Sequence, residues 1–243
     1  MGHFKGIKMG LKEDINYSLW CDFIERDFLE NRFKEIIKKQ IIQGATSNPA
    51  IFESSISNSV AYKQQLDMLQ ANNAKTIYEE LALTDIKRAA FLLEKLHKND
   101  NDDGFISIEV DPLLCDDAAG TIEEGVRLYS QINAENVMIK VPATEAGYIA
   151  MRELTSRGIN VNATLIFSPA QAVKCAQALD EGINDSNKDI KAVVSIFVSR
   201  LDRLADSDFA LKGLQTSKLG IVNATKCYHE INKFKNSNIR TLF

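Results

Sequence analysis

Short apolar runs alternate along the chain with longer stretches in which apolar residues recur every three or four positions. Runs rich in β-branched and aromatic residues are typical of strands, and the three-to-four spacing is typical of amphipathic helices. The short runs predict seven strands, at Ser18–Ile24, Gln43–Ala45, Phe105–Val110, Val137–Val141, Asn160–Phe167, Ala192–Val198 and Asn238–Phe243. The longer pattern predicts helices between them, at Phe28–Ile42, Ala74–Lys98, Ile122–Ile132, Tyr148–Ser156, Ala170–Leu179 and Asn223–Phe234.

Strands that alternate with helices indicate parallel pairing through right-handed crossovers. Two architectures fit, the open doubly wound sheet and the closed (β/α) barrel. A dinucleotide-binding sheet should carry G-x-G-x-x-G after its first strand, and neither this motif nor a Walker lysine loop is present. Polar residues at the ends of the predicted strands favour the barrel. We expect one domain over residues 17–243, preceded by an N-terminal extension over residues 1–16.

A (β/α)8 barrel needs eight strands, and the sequence ends inside the seventh. A barrel with one strand missing would leave two unpaired edges, which proteins avoid. We therefore expect a C-terminally incomplete (β/α)8 TIM barrel, truncated before its eighth strand, and a longer parent protein.

Composition excludes several classes of function. The formal net charge is −4 and no basic stripe is present, so nucleic acid is not an expected partner. No apolar stretch approaches the length of a membrane span, and the first sixteen residues lack the apolar core of a secretory signal. The four cysteines and three histidines are scattered, which favours a reduced, cytoplasmic setting and gives no reason to expect a metal site or cofactor.

One lysine, Lys140, lies in an otherwise apolar strand-like run from Val137 to Val141. Lysine is seldom buried, because an unpaired ammonium removed from water is unstable or gives up its proton. An amine without its proton is a nucleophile, and its usual use is a Schiff base with a carbonyl substrate. The alternative is a strand-end lysine whose stem lies along apolar surface and whose head is in water.

Side chains two positions apart share one face of a strand, and this parity groups polar residues around Lys140. The shared-face sets are Ser107, Glu109 and Asp111; Met138, Lys140 and Pro142; Asn160, Asn162 and Thr164; Ser195, Phe197 and Ser199, with Asp22 on the first strand. The outer face of a barrel packs on helices, so polar sets should point inward, and catalytic groups lie near the carboxyl ends of the strands. The pattern therefore predicts a functional cavity.

Each of these residues also has a structural explanation. Asp22 could cap the following helix, Glu109 could be a hydrated strand-end carboxylate, and Thr164 could be a β-branched strand former. Asn48 could be a turn residue before Pro49. Together, however, one amine, two carboxylates, an amide and hydroxyls are the groups that Schiff-base chemistry requires. One carboxylate relays protons during dehydration, and the other takes a proton from a substrate hydroxyl as a carbon–carbon bond breaks.

Four segments resemble transaldolases, in the order in which that family carries them: Gly44–Phe52, Phe105–Pro112, Val137–Gly147 and Ser195–Arg200. The resemblance runs from about Tyr17 to Phe243. It implies metal-free transfer of a dihydroxyacetone unit between sugar phosphates through a lysine Schiff base, in the non-oxidative pentose phosphate pathway and without a cofactor. Sedoheptulose 7-phosphate and fructose 6-phosphate would be the donors, and the resemblance also allows a homodimer.

Carried over position by position, the resemblance assigns nine residues. The implied catalytic residues are Lys140 as nucleophile, Asp22 as general base and acid, and Glu109 and Thr164, which position a water for proton transfer. The implied substrate-binding residues are Asn48, Asn162 and Ser195 for hydroxyls, Phe197, and Arg200 for phosphate. A planar guanidinium suits a phosphate oxyanion.

Two features bear on the exact activity. Related fructose 6-phosphate aldolases typically have tyrosine at the position of Phe197 and glutamine at that of Glu109, so this chain resembles a transferase more than an aldolase. Transaldolases continue beyond this chain with an eighth strand and a second basic phosphate-binding residue, so we expect weakened phosphate binding or inactivity. A class I aldolase and a non-catalytic sugar-phosphate-binding barrel stay open as alternatives.

Overall fold

A computed structural model describes residues 17–243, so the predicted extension over residues 1–16 lies outside the described residues. The chain divides into two compact units, and the boundary between Ile106 and Ser107 falls within the third strand. The described part of the first unit covers residues 17–106, and the second unit covers residues 107–243. The prediction of a single domain stays a prediction.

In the first unit, strand β1 (Trp20–Cys21) pairs in parallel with β2 (Gly44–Thr46). A side chain at position 44 would come within 2.6 Å of the Trp20 indole, so glycine lets the two strands lie side by side. The β2 segment also pairs with the chain that leads into β3, because the Ala45 amide donates to the Phe105 carbonyl at 2.8 Å.

The helices of the first unit cover most of its remaining length. They are α1 (Arg26–Phe28), a π-helical turn (Leu29–Phe33), α2 (Lys34–Lys38), α3 (Pro49–Asn58), a 3-10 turn (Val60–Tyr62), α4 (Lys63–Leu69) and α5 (Ala74–Asn99). Their apolar faces supply the buried side chains of Leu29, Phe33, Leu81, Ile86 and Leu93. Helix α5 begins at the cap that the Asn73 side chain forms with the Thr76 amide at 2.9 Å.

The second unit alternates strands and helices in a regular way. Its strands are β3 (Ile106–Glu109, beginning at the boundary), β4 (Val137–Pro142), β5 (Val161–Ile166), β6 (Ala192–Ile196) and β7 (Ile239–Leu242). Its helices are α6 (Ala118–Ile132), α7 (Glu145–Ser156), α8 (Pro169–Asp185), α9 (Ser199–Leu211) and α10 (Leu219–Ile231), with 3-10 turns at Pro112–Leu114 and Asn232–Phe234. Strands β4 to β7 pair in parallel, each with its neighbour in the sequence.

Strand order decides between the two architectures that the sequence left open. The seven strands pair in chain order from β1 to β7. A doubly wound sheet instead has its first strand inside the sheet and reverses direction at a switch point. Sequential parallel strands with helical crossovers are the arrangement of an incomplete (β/α)8 barrel, which confirms the predicted fold class and all seven strands.

Some predicted details were wrong. Ser199 was expected on the sixth strand, but Val198 has helical backbone angles and Ser199 is the first residue of α9. The sequence pattern also missed α3, α4 and α9. The start of α3 had a readable signal, since Asn48 is an N-cap and Pro49 occupies the first helical turn, a pair typical of helix starts.

Candidate active site

Lys140 is buried within β4, and its ammonium faces the carboxylate at the end of the neighbouring strand. The Lys140 Nζ lies 3.8 Å from Oε2 of Glu109, and the two side chains are only 8% and 13% exposed. The strands are held together beside them, since the Val110 amide donates to the Lys140 carbonyl at 3.1 Å. The inward, buried orientation predicted for Lys140 is therefore present, and the water-exposed alternative is excluded.

Glu109 has an unusual carboxyl group. Burial raises its pKa above the ordinary value for glutamate, and the positive charges of Lys140 and Arg200 offset this only in part. A carboxyl whose pKa is raised keeps its proton more readily than an ordinary glutamate and is suited to exchanging it with a substrate. The hydrated strand-end alternative does not describe this residue, because little of the side chain meets solvent.

The amide of Asn162 joins side chains from three strands. Lys140 and Asn162 are register partners on β4 and β5. The Asn162 Nδ2 donates to the Ser107 hydroxyl on β3 at 2.9 Å, and its Oδ1 accepts from the Ser195 hydroxyl on β6 at 2.6 Å. These bonds place the predicted polar faces of β3, β5 and β6 on the same side of the sheet.

Thr164 is buried at the end of β5, two residues beyond Asn162 and on the same face. It is the register partner of Pro142, which follows Lys140 by two positions on β4. The pairing of β5 with β6 becomes irregular between Ala163 and Ile166, as in a β-bulge. Such bulges are over-represented next to active sites, where they redirect a side chain.

Phe197 and Arg200 form a layered stack with a second aromatic residue. The rings of Phe167 and Phe197 lie 5.2 Å apart and are nearly parallel, at 22°. The Arg200 guanidinium lies over the Phe197 ring, 4.5 Å from its centroid. Arg200 is an exposed residue, so its guanidinium is held by stacking and stays accessible to an anion.

Helix α7 begins directly after β4, and Gly147 makes this close approach feasible. A side chain at position 147 would lie 1.9 Å from the Pro142 carbonyl oxygen. The Thr144 hydroxyl caps the helix by accepting from the Gly147 amide at 2.9 Å. The turn from β4 into α7 is thus determined by the Thr144 cap and by the small size of Gly147.

The remaining two predicted residues, Asp22 and Asn48, belong to the first unit. Asp22 follows β1 and is exposed; it does not cap the next helix, because Glu25 does so by accepting from the Phe28 amide at 2.7 Å. Asn48 does have a structural role, since its Oδ1 accepts from the Ile51 amide at 3.0 Å.

Two hydroxyls were not among the predicted site residues. Ser107 is buried and bonded to Asn162, and strand parity with Glu109 was the signal that could have selected it. Thr46, at the end of β2 in the first unit, is 7% exposed, and within residues 17–243 its hydroxyl oxygen has no hydrogen-bond partner. A buried hydroxyl without a partner is uncommon and is suited to a ligand or an ordered water. The sequence analysis assigned no role to Thr46.

Two kinds of feature are absent from the described part of the chain. Residues 17–243 contain no group of three or more His, Cys, Asp or Glu side chains arranged to hold a metal ion. In the same range, no helix combines the length and the apolar character needed to cross a membrane.

Fold and site together define a class: a (β/α) barrel enzyme with a buried lysine paired to a protonatable carboxyl at adjacent strand ends. The family model described as Transaldolase/Fructose-6-phosphate aldolase matches residues 19–242. A transaldolase of Helicobacter pylori is 49% identical over 227 residues, which cover 93% of this chain and 70% of that protein. A transaldolase of Campylobacter jejuni subsp. doylei is 48% identical over 239 residues, 94% of this chain and 72% of that protein. The chain belongs to the transaldolase/fructose-6-phosphate aldolase family.

Proposed function

We propose that this chain catalyses the transaldolase reaction of the non-oxidative pentose phosphate pathway. A dihydroxyacetone unit moves from sedoheptulose 7-phosphate to glyceraldehyde 3-phosphate, which gives erythrose 4-phosphate and fructose 6-phosphate. The observation that supports this most directly is the buried Lys140 ammonium 3.8 Å from the Glu109 carboxylate, in a family whose relatives are transaldolases.

The first half of the reaction captures the ketose. The Lys140 amine attacks the carbonyl carbon, and the resulting carbinolamine loses its hydroxyl as water, which leaves an iminium ion. That water needs a proton, and Glu109 supplies it through a water molecule held with Thr164. A carboxyl with a raised pKa is suited to this step, because it still carries a proton when ordinary carboxylates do not.

The second half moves the three-carbon unit. Asp22 takes the proton of the hydroxyl next to the iminium-activated bond, the carbon–carbon bond breaks, and its electrons form an enamine on Lys140. The first aldose leaves, the acceptor aldose binds, and the enamine carbon attacks its aldehyde while Asp22 returns the proton. Water then adds to the iminium ion and releases the product ketose and the free amine. The role of Asp22 rests on the family resemblance and on its position after the carboxyl end of β1.

Recognition of the substrate is assigned to the stacked and bonded side chains. Asn162 and Ser195, together with Asn48, hold hydroxyls of the three-carbon unit. Arg200 binds the phosphate with a guanidinium that Phe197 keeps in place. The apolar rings of Phe167 and Phe197 limit water near the enamine, so that it reacts with an aldose instead of being released.

A transfer assay tests this proposal and separates it from simple aldolase activity. With fructose 6-phosphate and erythrose 4-phosphate together, we expect sedoheptulose 7-phosphate and glyceraldehyde 3-phosphate as products. With fructose 6-phosphate alone, we expect almost no free dihydroxyacetone. Steady release of dihydroxyacetone without an acceptor would favour an aldolase, and phosphosugar binding by calorimetry without turnover would favour a non-catalytic barrel.

Location and assembly belong to the same proposal. The sugar-phosphate chemistry and the four free cysteines suit a reduced, cytoplasmic setting. A homodimer is compatible with the family, and the oligomeric state can be measured by light scattering on the purified chain.

A further inference from the structure

We propose that Gln171 is a positioning residue: its side-chain amide holds the bulge of β5 so that Thr164 is aimed for proton transfer. The inference rests on the proposed function, since it assigns Gln171 a part in that same reaction. Gln171 lies in the first turn of α8, outside the residues assigned above.

The side-chain amide of Gln171 bonds to three backbone groups in two stretches of the chain. Its Nε2 donates to the Ala143 carbonyl at 3.2 Å and, at 3.4 Å, to the Leu165 carbonyl. Its Oε1 accepts from the Phe167 amide at 3.0 Å. One side chain therefore ties the end of β4, which carries Lys140, to the two residues that flank the end of β5.

The backbone that Gln171 holds is strained. Leu165 has a φ of 58°, in the left-handed region that side chains other than glycine seldom adopt. Leu165 directly follows Thr164, and the pairing of β5 with β6 shifts register here. Strained conformations of this kind persist only when the surroundings enforce them, and they cluster at functional sites. The bond from Gln171 to the Leu165 carbonyl holds this residue directly, and the bond to the Ala143 carbonyl ties it to the end of β4.

Helix capping explains only half of these contacts. Ser168 caps α8 by accepting from the Gln171 amide at 3.2 Å, as in the Ser-x-x-Gln capping box, while the Gln171 side-chain oxygen accepts from the amide of Phe167, one residue before the cap. A capping box uses the side-chain oxygen at the third helical position, so glutamate serves it as well as glutamine. It does not use the side-chain NH2 group. Helix capping therefore does not account for the bonds from Nε2 to the carbonyls of Ala143 and Leu165.

The substitution Gln171→Glu separates the bond that Oε1 accepts from the bonds that Nε2 donates. Glutamate keeps the cap and the acceptor for the Phe167 amide, and its charge suits a helix N-terminus. It removes both donated bonds and places an oxygen against two carbonyls, so the bulge should relax while the fold remains. Because the acceptor for the Phe167 amide is kept, the stack of Phe167 on Phe197 should stay in place. We therefore expect the affinity for the substrate to be preserved.

The experiment measures transfer kinetics and thermal unfolding of the 243-residue chain. For Gln171→Glu we expect kcat to fall by at least about 10-fold, since displacement of a catalytic group by an ångström can lower rates by two orders of magnitude. KM for the ketose phosphate should stay within about 2-fold, because the Phe167 contact is kept. Gln171→Ala loses all the contacts and should change both kcat and KM. Gln177→Glu, on the exposed side of the same helix, is the matched control and should change neither.

A double-mutant cycle with Thr164→Ala separates positioning from a purely structural role. If Gln171 acts through Thr164, then Gln171→Glu should lower kcat by less than about 2-fold once Thr164 is truncated. Equal effects in both backgrounds, or an unchanged kcat in Gln171→Glu, would overturn the inference. Gln171→Met, which introduces no charge, should show the same loss of kcat; if both variants fail to fold, Gln171 is structural and the inference is wrong.

Failure of this inference can be told apart from failure of the proposed function. If the unmodified chain transfers the dihydroxyacetone unit and the cycle is additive, only the role of Gln171 is wrong. If the unmodified chain has no transfer activity and forms no lysine adduct, the proposed function itself is wrong.

Discussion

Two buried carboxylates, one in each unit, each face a cation, but they are built differently. In the first unit, Asp85 is 1% exposed and accepts from Arg26 Nε at 2.9 Å and from the Tyr62 hydroxyl at 2.8 Å. In the second unit, Glu109 lies 3.8 Å from the Lys140 ammonium, longer than a normal hydrogen bond. Burial raises the pKa of both carboxyl groups.

A raised pKa therefore does not by itself identify an active site. Both oxygens of Asp85 are bonded to protein groups, so the cluster is complete and stabilises the packing of α1 against α5. The contact between Glu109 and Lys140 is longer, at 3.8 Å between the ammonium nitrogen and Oε2. Structural ion-pair networks perturb pKa values too, and geometry separates the two cases.

The largest expected effect comes from removing the amine. Lys140→Met should lower transfer activity by at least about 10⁴-fold, equal to about 5 kcal/mol in activation free energy, because no Schiff base can form. The exposed Lys174, which pairs with Glu145, offers the matched control Lys174→Met, and its kcat/KM should be unchanged. Transfer kinetics on both variants check this, and activity retained without Lys140 would contradict the mechanism.

The next effect concerns the carboxyl beside the amine. Glu109→Gln keeps the shape of the side chain but cannot exchange a proton, so kcat should fall by about 100-fold, or about 3 kcal/mol. Asp85→Asn is the variant to compare with Glu109→Gln, since Asp85 is proposed to have no part in the reaction and its loss should leave kcat unchanged. Similar losses of kcat in both variants, measured per folded molecule, would remove the distinction between the two carboxylates.

Asp85→Asn should instead lower the free energy of unfolding. The change weakens the bonds to Arg26 and Tyr62, and we expect a loss of about 2 kcal/mol, at the low end for a buried pair because Arg26 is partly exposed. Urea unfolding of both variants measures this. A variant as stable as the unmodified chain would show that the Asp85 cluster contributes little to the fold.

The smallest effect is a dependence of stability on pH. The pKa of Asp85 is raised in the folded protein. Its contribution to the free energy of unfolding is therefore fully present below the ordinary aspartate pKa of about 4. It is lost as the pH rises through the raised value, so the free energy of unfolding should fall over that window. Asp85→Asn should flatten this slope, and unfolding curves at a series of pH values test it. An equal slope in the variant would assign the dependence to other groups.

The strands were predictable because each is a short apolar run between helical patterns, and the fold class followed from their alternation. The inward face of Lys140 and Asn162 was predictable from strand parity alone. The helix at Pro49–Asn58 was missed because its cap was interpreted as a turn. Gln171 was missed because its role depends on a bulge and a left-handed Leu165, which leave no periodic pattern in the sequence.

Borohydride trapping tests whether the Lys140 amine is the nucleophile that forms the Schiff base. The chain is incubated with fructose 6-phosphate, reduced, digested and analysed by mass spectrometry. The account predicts a reduced dihydroxyacetone adduct on the peptide that contains Lys140, absent from the Lys140→Met variant and undiminished in Lys174→Met. An adduct on a different lysine, or no adduct on a chain that still transfers the three-carbon unit, would contradict it.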